Sequence, residues 1–121
     1  MTIDYLASVK HLLATVDSND LETYVNFFSD DAVYKIGNAE PVIGQEGIRE
    51  FVMPIMQIVK SVAHDIKNIW KFENTVICEA DVTYNRQDGK VFTLPNVNII
   101  RFKGDKIQKY QAFIDTSPVF S

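Results

Sequence analysis

The sequence predicts an α+β fold, with helices gathered on one face of a curved antiparallel sheet. Three observations predict it. The first half places apolar residues at helical spacing, residues 75–115 alternate apolar and polar side chains, and Gln87-Asp88-Gly89 and Lys103-Gly104-Asp105 sit where hairpin loops belong. Helices first and strands afterwards is the pattern of segregated layers.

In chain order, Leu6, Val9, Leu13 and Val16 form the stripe of a helix over 4–16, with Tyr5 and Leu12 beside it. Ser18-Asn19-Asp20 breaks this helix and offers caps to a second, whose stripe is Leu21, Tyr24, Val25 and Phe28. Ser29-Asp30-Asp31 stops it, 32–36 is a short strand, and 37–41 is a turn rich in breakers. A third helix over 44–59 turns Ile48, Phe51, Val52, Ile55 and Val59 inward. It is apolar nearly all round beyond Arg49-Glu50, which predicts deep burial, and Pro54 predicts a kink or a break near Met53. A strand over 62–72 and a Glu73-Asn74 turn lead into the three-strand stretch. The tail 116–121 holds Pro118 and ends the sheet.

Within 75–115, Val76, Cys78, Ala80, Val82 and Tyr84 alternate with Glu79, Asp81 and Thr83. A three-residue loop at 87–89, with Gly89 in the left-handed region, sets Tyr84 opposite Phe92, Val82 opposite Leu94 and Cys78 opposite Asn98. A similar loop at 103–105 sets Asn98 opposite Tyr110 and Leu94 opposite Ile114. Even-numbered residues then share one face, an apolar wall carrying Asn96, Asn98, Gln108 and Tyr110. A few amides and a phenol on such a wall point to a ligand pocket. Pro95 cannot donate to a ladder and predicts a bulge that bends the sheet into a cup.

The 121 residues make one domain, 1–121, large enough to bury about two-thirds of its unfolded surface. A net charge of −4 without a basic block argues against nucleic acid as a partner. No signal-like run or long apolar stretch targets or spans a membrane. The single cysteine, Cys78, forms no intrachain disulfide, reads as a small buried hydrophobe, and fits a reducing cytoplasm. Two histidines without metal-ligand spacing argue against zinc, and no glycine pattern builds a nucleotide cradle, so no cofactor is expected.

Three segments together resemble the nuclear transport factor 2-like superfamily, in its SnoaL-like and steroid-isomerase-like branches. They are Asp20-Leu21 with Phe28-Ser29-Asp30-Asp31-Ala32, then Gly44-x-x-Gly47-Ile48-Arg49-Glu50-Phe51, then the Asp88-Gly89 hairpin leading to Arg101-Phe102. The resemblance implies a cystatin-like cone, a curved sheet wrapped on three helices, with a mostly apolar cavity at its mouth and frequent dimers. It implies isomerase, cyclase, hydrolase or purely binding roles, since one fold hosts many chemistries. Its known site positions are largely vacated here. The steroid-isomerase base matches Ile36, the helix tyrosine matches Leu12, and the protonated aspartate matches Asn98. The epoxide-hydrolase Arg-x-Asp matches Glu79-Ala80-Asp81 and its other aspartate matches Ala112. The cyclase acid has only Asp115 as a counterpart, on the face opposite Tyr110.

The candidate ligand pocket therefore comprises Tyr34, His64, Asn68, Trp70, Asn96, Asn98 and Tyr110. The amides and phenols would orient a carbonyl or hydroxyl. His64 is the best candidate base, because imidazole as a class titrates near neutrality. His64, Asn68 and Trp70 alternate with Asp65, Lys67 and Lys71. A two-residue Glu73-Asn74 turn would pair Trp70 with Ile77 and send these side chains to the outer face; a longer turn would line the pocket with them. We adopt the pocket placement. An outer face carrying Trp70, Ile66, Ile69 or Ile99 would need cover from a second subunit. The expected partners are a small apolar or amphipathic molecule and a second copy of the chain. Activity is either cofactor-independent isomerase, cyclase or hydrolase chemistry, or none, the domain then serving binding or dimerisation.

Overall fold

The computed structural model describes residues 3–121. Helices α1 (Tyr5–Asp17) and α2 (Leu21–Asn26) precede strand β1 (Phe28–Ile36), the short β2 (Val42–Ile43) and helix α3 (Gly44–Ile58). Strands β3 (Val59–Phe72), β4 (Thr75–Arg86), β5 (Val91–Lys103) and β6 (Lys106–Phe113) follow, and the sheet order is β2-β1-β6-β5-β4-β3. The sheet is antiparallel except where β1 lies parallel to β6. This is the α+β cone, with the three helices against one face of an unclosed, curved sheet.

Local chemistry sets the helix ends. Asp4 Oδ1 accepts from the Ala7 amide at 3.0 Å and Asp20 Oδ1 from the Thr23 amide at 3.2 Å, so both N-termini are capped by short acids. Between them Asn19 takes φ +60°, a left-handed break that asparagine tolerates. At the start of α3, Gly44 has φ +77°, and a Cβ there would lie 2.5 Å from the Asp30 carbonyl oxygen. Backbone strain and a clash with main chain combine, so Gly44→Ala is expected to destabilise by more than ~1 kcal/mol, read from denaturant unfolding. A wild-type midpoint for the variant would contradict the close approach of α3 to β1.

Helix α3 continues through Pro54 to Ile58, so of the two expectations, a kink or a break, the break is absent. Proline removes only the donor to the Glu50 carbonyl, and both residues are exposed, so water can take that oxygen. Deep burial of α3 does not hold either: only Gly44 and Ile48 are buried, and Met53 is 49 % exposed. The reason is that its inner stripe faces a cavity.

The register of β4 with β5 is unbroken from Thr75↔Arg101 to Asn85↔Val91, including Asp81↔Pro95, so no bulge forms at Pro95. The Arg86 amide donates to the Lys90 carbonyl at 2.8 Å. Alternation from there turns the nitrogen of residue 95 away from β4, and β6 ends with Phe113 opposite Val97. Nothing asks Pro95 for a donor. The β5–β6 register also differs from expectation. A two-residue Gly104-Asp105 turn with a shift between Arg101 and Phe102 sets Asn98 opposite Ala112 and Ile100 opposite Tyr110. Leu94 meets no Ile114, which lies beyond β6. The slip is two residues, so both side chains keep their face.

Strand β3 carries the irregularities that Pro95 lacks. Trp70 pairs with Ile77 and Asn68 with Glu79, yet Ile66 pairs with Ala80 and His64 with Val82. Lys67 is therefore an extra residue without a partner, and the face reverses across it. Both sequence-based alternatives hold, each for one half of the strand. His64 looks inward with buried Val82, and Trp70 looks outward with Ile77.

The core lies between the even-numbered face of β4 and β5 and helices α1 and α2. Val76, Cys78, Ile100, Phe102 and Ile107 meet Val9, Leu12 and Leu13, all at most 2 % exposed. Burying such side chains contributes roughly 1.5–3 kcal/mol each.

Candidate functional site

A cavity of about 540 Å³ opens where the sheet, α3 and the segment after β6 converge. The inner stripe of α3 supplies Phe51, Val52 and Ile55, and the sheet supplies Val82, Tyr84, Asn96, Asn98 and Ala112. Ile114, Asp115, Thr116, Ser117 and Phe120 from the chain beyond β6 complete it. Most of this lining is apolar, with polar groups confined to a few places.

One polar group is a set of phenols. The Tyr24 and Tyr34 hydroxyls lie 2.8 Å apart, and the Tyr34 and Tyr110 rings stack with centroids 5.0 Å apart. Phe28 braces all three rings, at centroid distances of 5.3, 5.5 and 5.8 Å. Burial pushes the phenols of Tyr24, Tyr34 and Tyr110 well above their ordinary range, and that of Tyr84 up to about 12. At neutral pH they are un-ionised hydroxyls. A second polar group is the amide pair on β5. Asn96 Nδ2 donates to Asn98 Oδ1 at 3.1 Å, with Asn98 fully buried.

The third is a histidine–carboxylate pair. His64 Nδ1 lies 2.7 Å from Asp17 Oδ1, and the His64 backbone amide donates to Asp17 Oδ2 at 3.2 Å. One carboxylate thus fixes ring and backbone together at the last residue of α1. With Nδ1–H donating to Asp17, the lone pair of the neutral ring resides on Nε2. Among the described residues Nε2 has no hydrogen-bond partner, and His64 borders the cavity. This is the arrangement of an oriented general base.

Of the seven residues singled out from sequence, Tyr34, His64, Asn96, Asn98 and Tyr110 border the cavity. Asn68 and Trp70 do not. Asn68 Nδ2 donates to Glu79 Oε1 at 2.8 Å on the outer face, and Trp70 is 53 % exposed there. Their displacement follows from the extra residue Lys67, which pure alternation does not foresee. Sequence reasoning missed Asp17, Tyr24 and Tyr84. Asp17 left one signal: an acid in the last turn of a helix opposes the macrodipole, so its position asks for another explanation. Ile36 and Ala112, where related chemistries would carry acids, line the wall as plain hydrocarbon.

Charge at the site is one-sided. Asp20 and Asp115 border the cavity, without Lys or Arg among the described lining residues; β6 ends at Phe113, so the alternation expected to turn Asp115 away from Tyr110 does not reach it. Hydrogen bonds from Thr23 hold the Asp20 carboxyl below its ordinary range, and those from Ser117 do the same for Asp115. Both are ionised at neutral pH. Among the described residues no group of three His, Cys, Asp or Glu is placed to hold a metal ion, and no helix is long and apolar enough to cross a membrane.

A curved mixed sheet on three helices, with a side cavity, defines a nuclear transport factor 2-like cone. The SnoaL-like domain family matches residues 9–110, and the chain belongs to it. No curated protein matches the chain in sequence. Among solved structures, an NTF2-like protein of unknown function from Burkholderia pseudomallei superposes with a TM-score of 0.87 at 11 % identity, over 98 % of this chain and 96 % of that one. A protein of ketosteroid isomerase-like fold from Catenulispora acidiphila, in complex with trimethylamine, gives 0.83 at 18 %, over 92 % and 87 %. An LEH-like epoxide hydrolase from M. tuberculosis gives 0.80 at 15 %, over 94 % and 84 %. At these identities the likeness is one of fold.

Proposed function

We propose that this SnoaL-like domain, spanning 1–121, binds a small, mostly apolar molecule in the cavity and acts on it without a cofactor. The reaction is isomerase-, cyclase- or hydrolase-type, with His64 as general base. The observation that carries the reading is the 2.7 Å contact of His64 Nδ1 with Asp17, which leaves Nε2 as the basic atom of a residue that borders a mostly apolar cavity. Proton abstraction next to a carbonyl fits this best. The base takes the proton, and un-ionised phenols and amides offer donors to the oxygen on which charge develops. Cys78, buried and with its thiol pushed up by desolvation, takes no part and suits a cytoplasmic setting.

The test is isotope exchange. Ketones of naphthalene size, incubated in deuterium oxide, should exchange their α-protons faster with the protein than with buffer or free imidazole, followed by proton NMR. No acceleration for any ketone that binds would leave a binding protein without base catalysis.

A second reading has its own support. Trp70, Ile77 and Ile99 form one cross-strand row on the outer face, with exposures of 53 %, 36 % and 37 %, and Phe113 extends the patch at 51 %. We infer a homodimer that covers this face. Sedimentation analysis should give a dimer for the wild type and a monomer for Trp70→Glu. A wild type that sediments as a monomer at all concentrations would remove this partner.

A further inference from the structure

We propose that Asn96 and Asn98 read an uncharged ligand edge carrying a hydrogen-bond acceptor beside a donor, as in a carboxamide or an unionised hydroxyketone. The inference rests on the cavity being a ligand site and specifies its chemistry.

The two amides satisfy only half of each other. With Asn96 Nδ2 donating to Asn98 Oδ1, Asn98 Nδ2 and Asn96 Oδ1 are buried without a partner among the described residues. Native interiors rarely leave such groups unpaired, because each costs on the order of a lost hydrogen bond. Two leucines would serve a plain core better. Exchanging oxygen and nitrogen in both side chains changes nothing in the inventory, since one amino group and one carbonyl oxygen still remain. The unmet need is thus one donor and one acceptor, on residues two apart along β5 that both border the cavity. The terminal amide torsion is soft, so the two groups can keep their mutual bond and still adjust the free donor and acceptor to a ligand edge.

The same walls exclude the ionised counterpart of that edge. A carboxylate offers two acceptors and no donor, which leaves Asn96 Oδ1 unmet. It would also enter a space bordered by Asp20 and Asp115, without Lys or Arg among the described lining residues. An anion there loses its hydration with no counter-charge.

A matched set of naphthalenes, substituted at one position, separates the possibilities by calorimetry at neutral pH. Naphthamide and hydroxyacetylnaphthalene carry both functions, acetylnaphthalene the acceptor only, ethylnaphthalene neither, and naphthoate the charge. At least one of the first two should bind about tenfold tighter than acetylnaphthalene, and naphthoate weakest of all. Which of the two leads tells a carboxamide from a hydroxyketone. In Asn98→Leu and in Asn96→Leu the advantage should shrink to within about twofold, while ethylnaphthalene still binds. The side-chain NH₂ resonances of both asparagines should shift with naphthamide and stay put with ethylnaphthalene. Equal binding of all neutral probes, or an advantage that survives in both variants, overturns the amide pairing yet keeps the cavity as a binding site. If no member of the set binds, the ligand-site reading falls with it. Asn98→Leu also takes the acceptor from Asn96 Nδ2, so the control is the double variant Asn96→Leu/Asn98→Leu, which leaves neither amide behind and should fold at least as stably as the wild type while still lacking the advantage.

Discussion

Replacing His64 by glutamine is expected to lower protein-catalysed α-proton exchange by about 10²–10⁴-fold, the usual contribution of a positioned base. Glutamine places an amide near the Nε2 position and has no basic nitrogen, so the loss reports proton transfer. His64 lies at the cavity wall rather than in the core cluster, and the melting temperature should scarcely move. Asp17 is a positioning residue that acts through the imidazole, and Asp17→Asn should lower exchange by up to about 10⁴-fold, through the wrong tautomer. Nitrogen-15 shifts of the ring supply a readout that mere structure would not move. They should report the Nδ1–H tautomer in the wild type and a mixture in Asp17→Asn. Exchange unchanged in His64→Gln would end the catalytic reading and leave the cavity to binding.

Phe28→Ala should cost about 3–5 kcal/mol of stability, from the lost hydrocarbon and the cavity left behind. Phe28 is 0 % exposed and touches the rings of Tyr24, Tyr34 and Tyr110 at once. Aromatic pairs of this kind add about 0.5–1.5 kcal/mol each beyond area. Urea unfolding should show a lower midpoint at unchanged slope. A loss under about 1 kcal/mol would mean that the phenols hold their places without this brace.

Much of this architecture was legible because strict alternation survives from Val76 to Asn98. With an unbroken ladder, the parity that places Asn96 and Asn98 inward follows from sequence alone. The same logic failed in β3, where Lys67 interrupts the period and sends Trp70 to the other side of the sheet from His64. Helix α3 read as buried because apolar residues surround it, but hydropathy does not distinguish a packed neighbour from an open space. The Asp17 contact was illegible for another reason. It joins residues 47 apart through a helix end and a strand, a separation at which local patterns carry no information. The match of Asn98 to a donor position came from family likeness, whereas its half-satisfied state required coordinates.

The unpaired Lys67 also governs how this strand can change length. Ile66 and Asn68 face adjacent residues of β4, Ala80 and Glu79. Deleting that lysine would therefore leave every other side chain of β3 opposite its present partner, whereas a deletion between 68 and 72 would turn His64 to the opposite surface. The deletion would have one electrostatic penalty. Asp65 and Asp81 stand directly opposite each other, and the Lys67 ammonium sits 2.8 Å from one and 3.7 Å from the other. Shortened homologues that drop the lysine should therefore also carry a neutral residue at one of the two acids, a covariation that can be looked for wherever such chains are found.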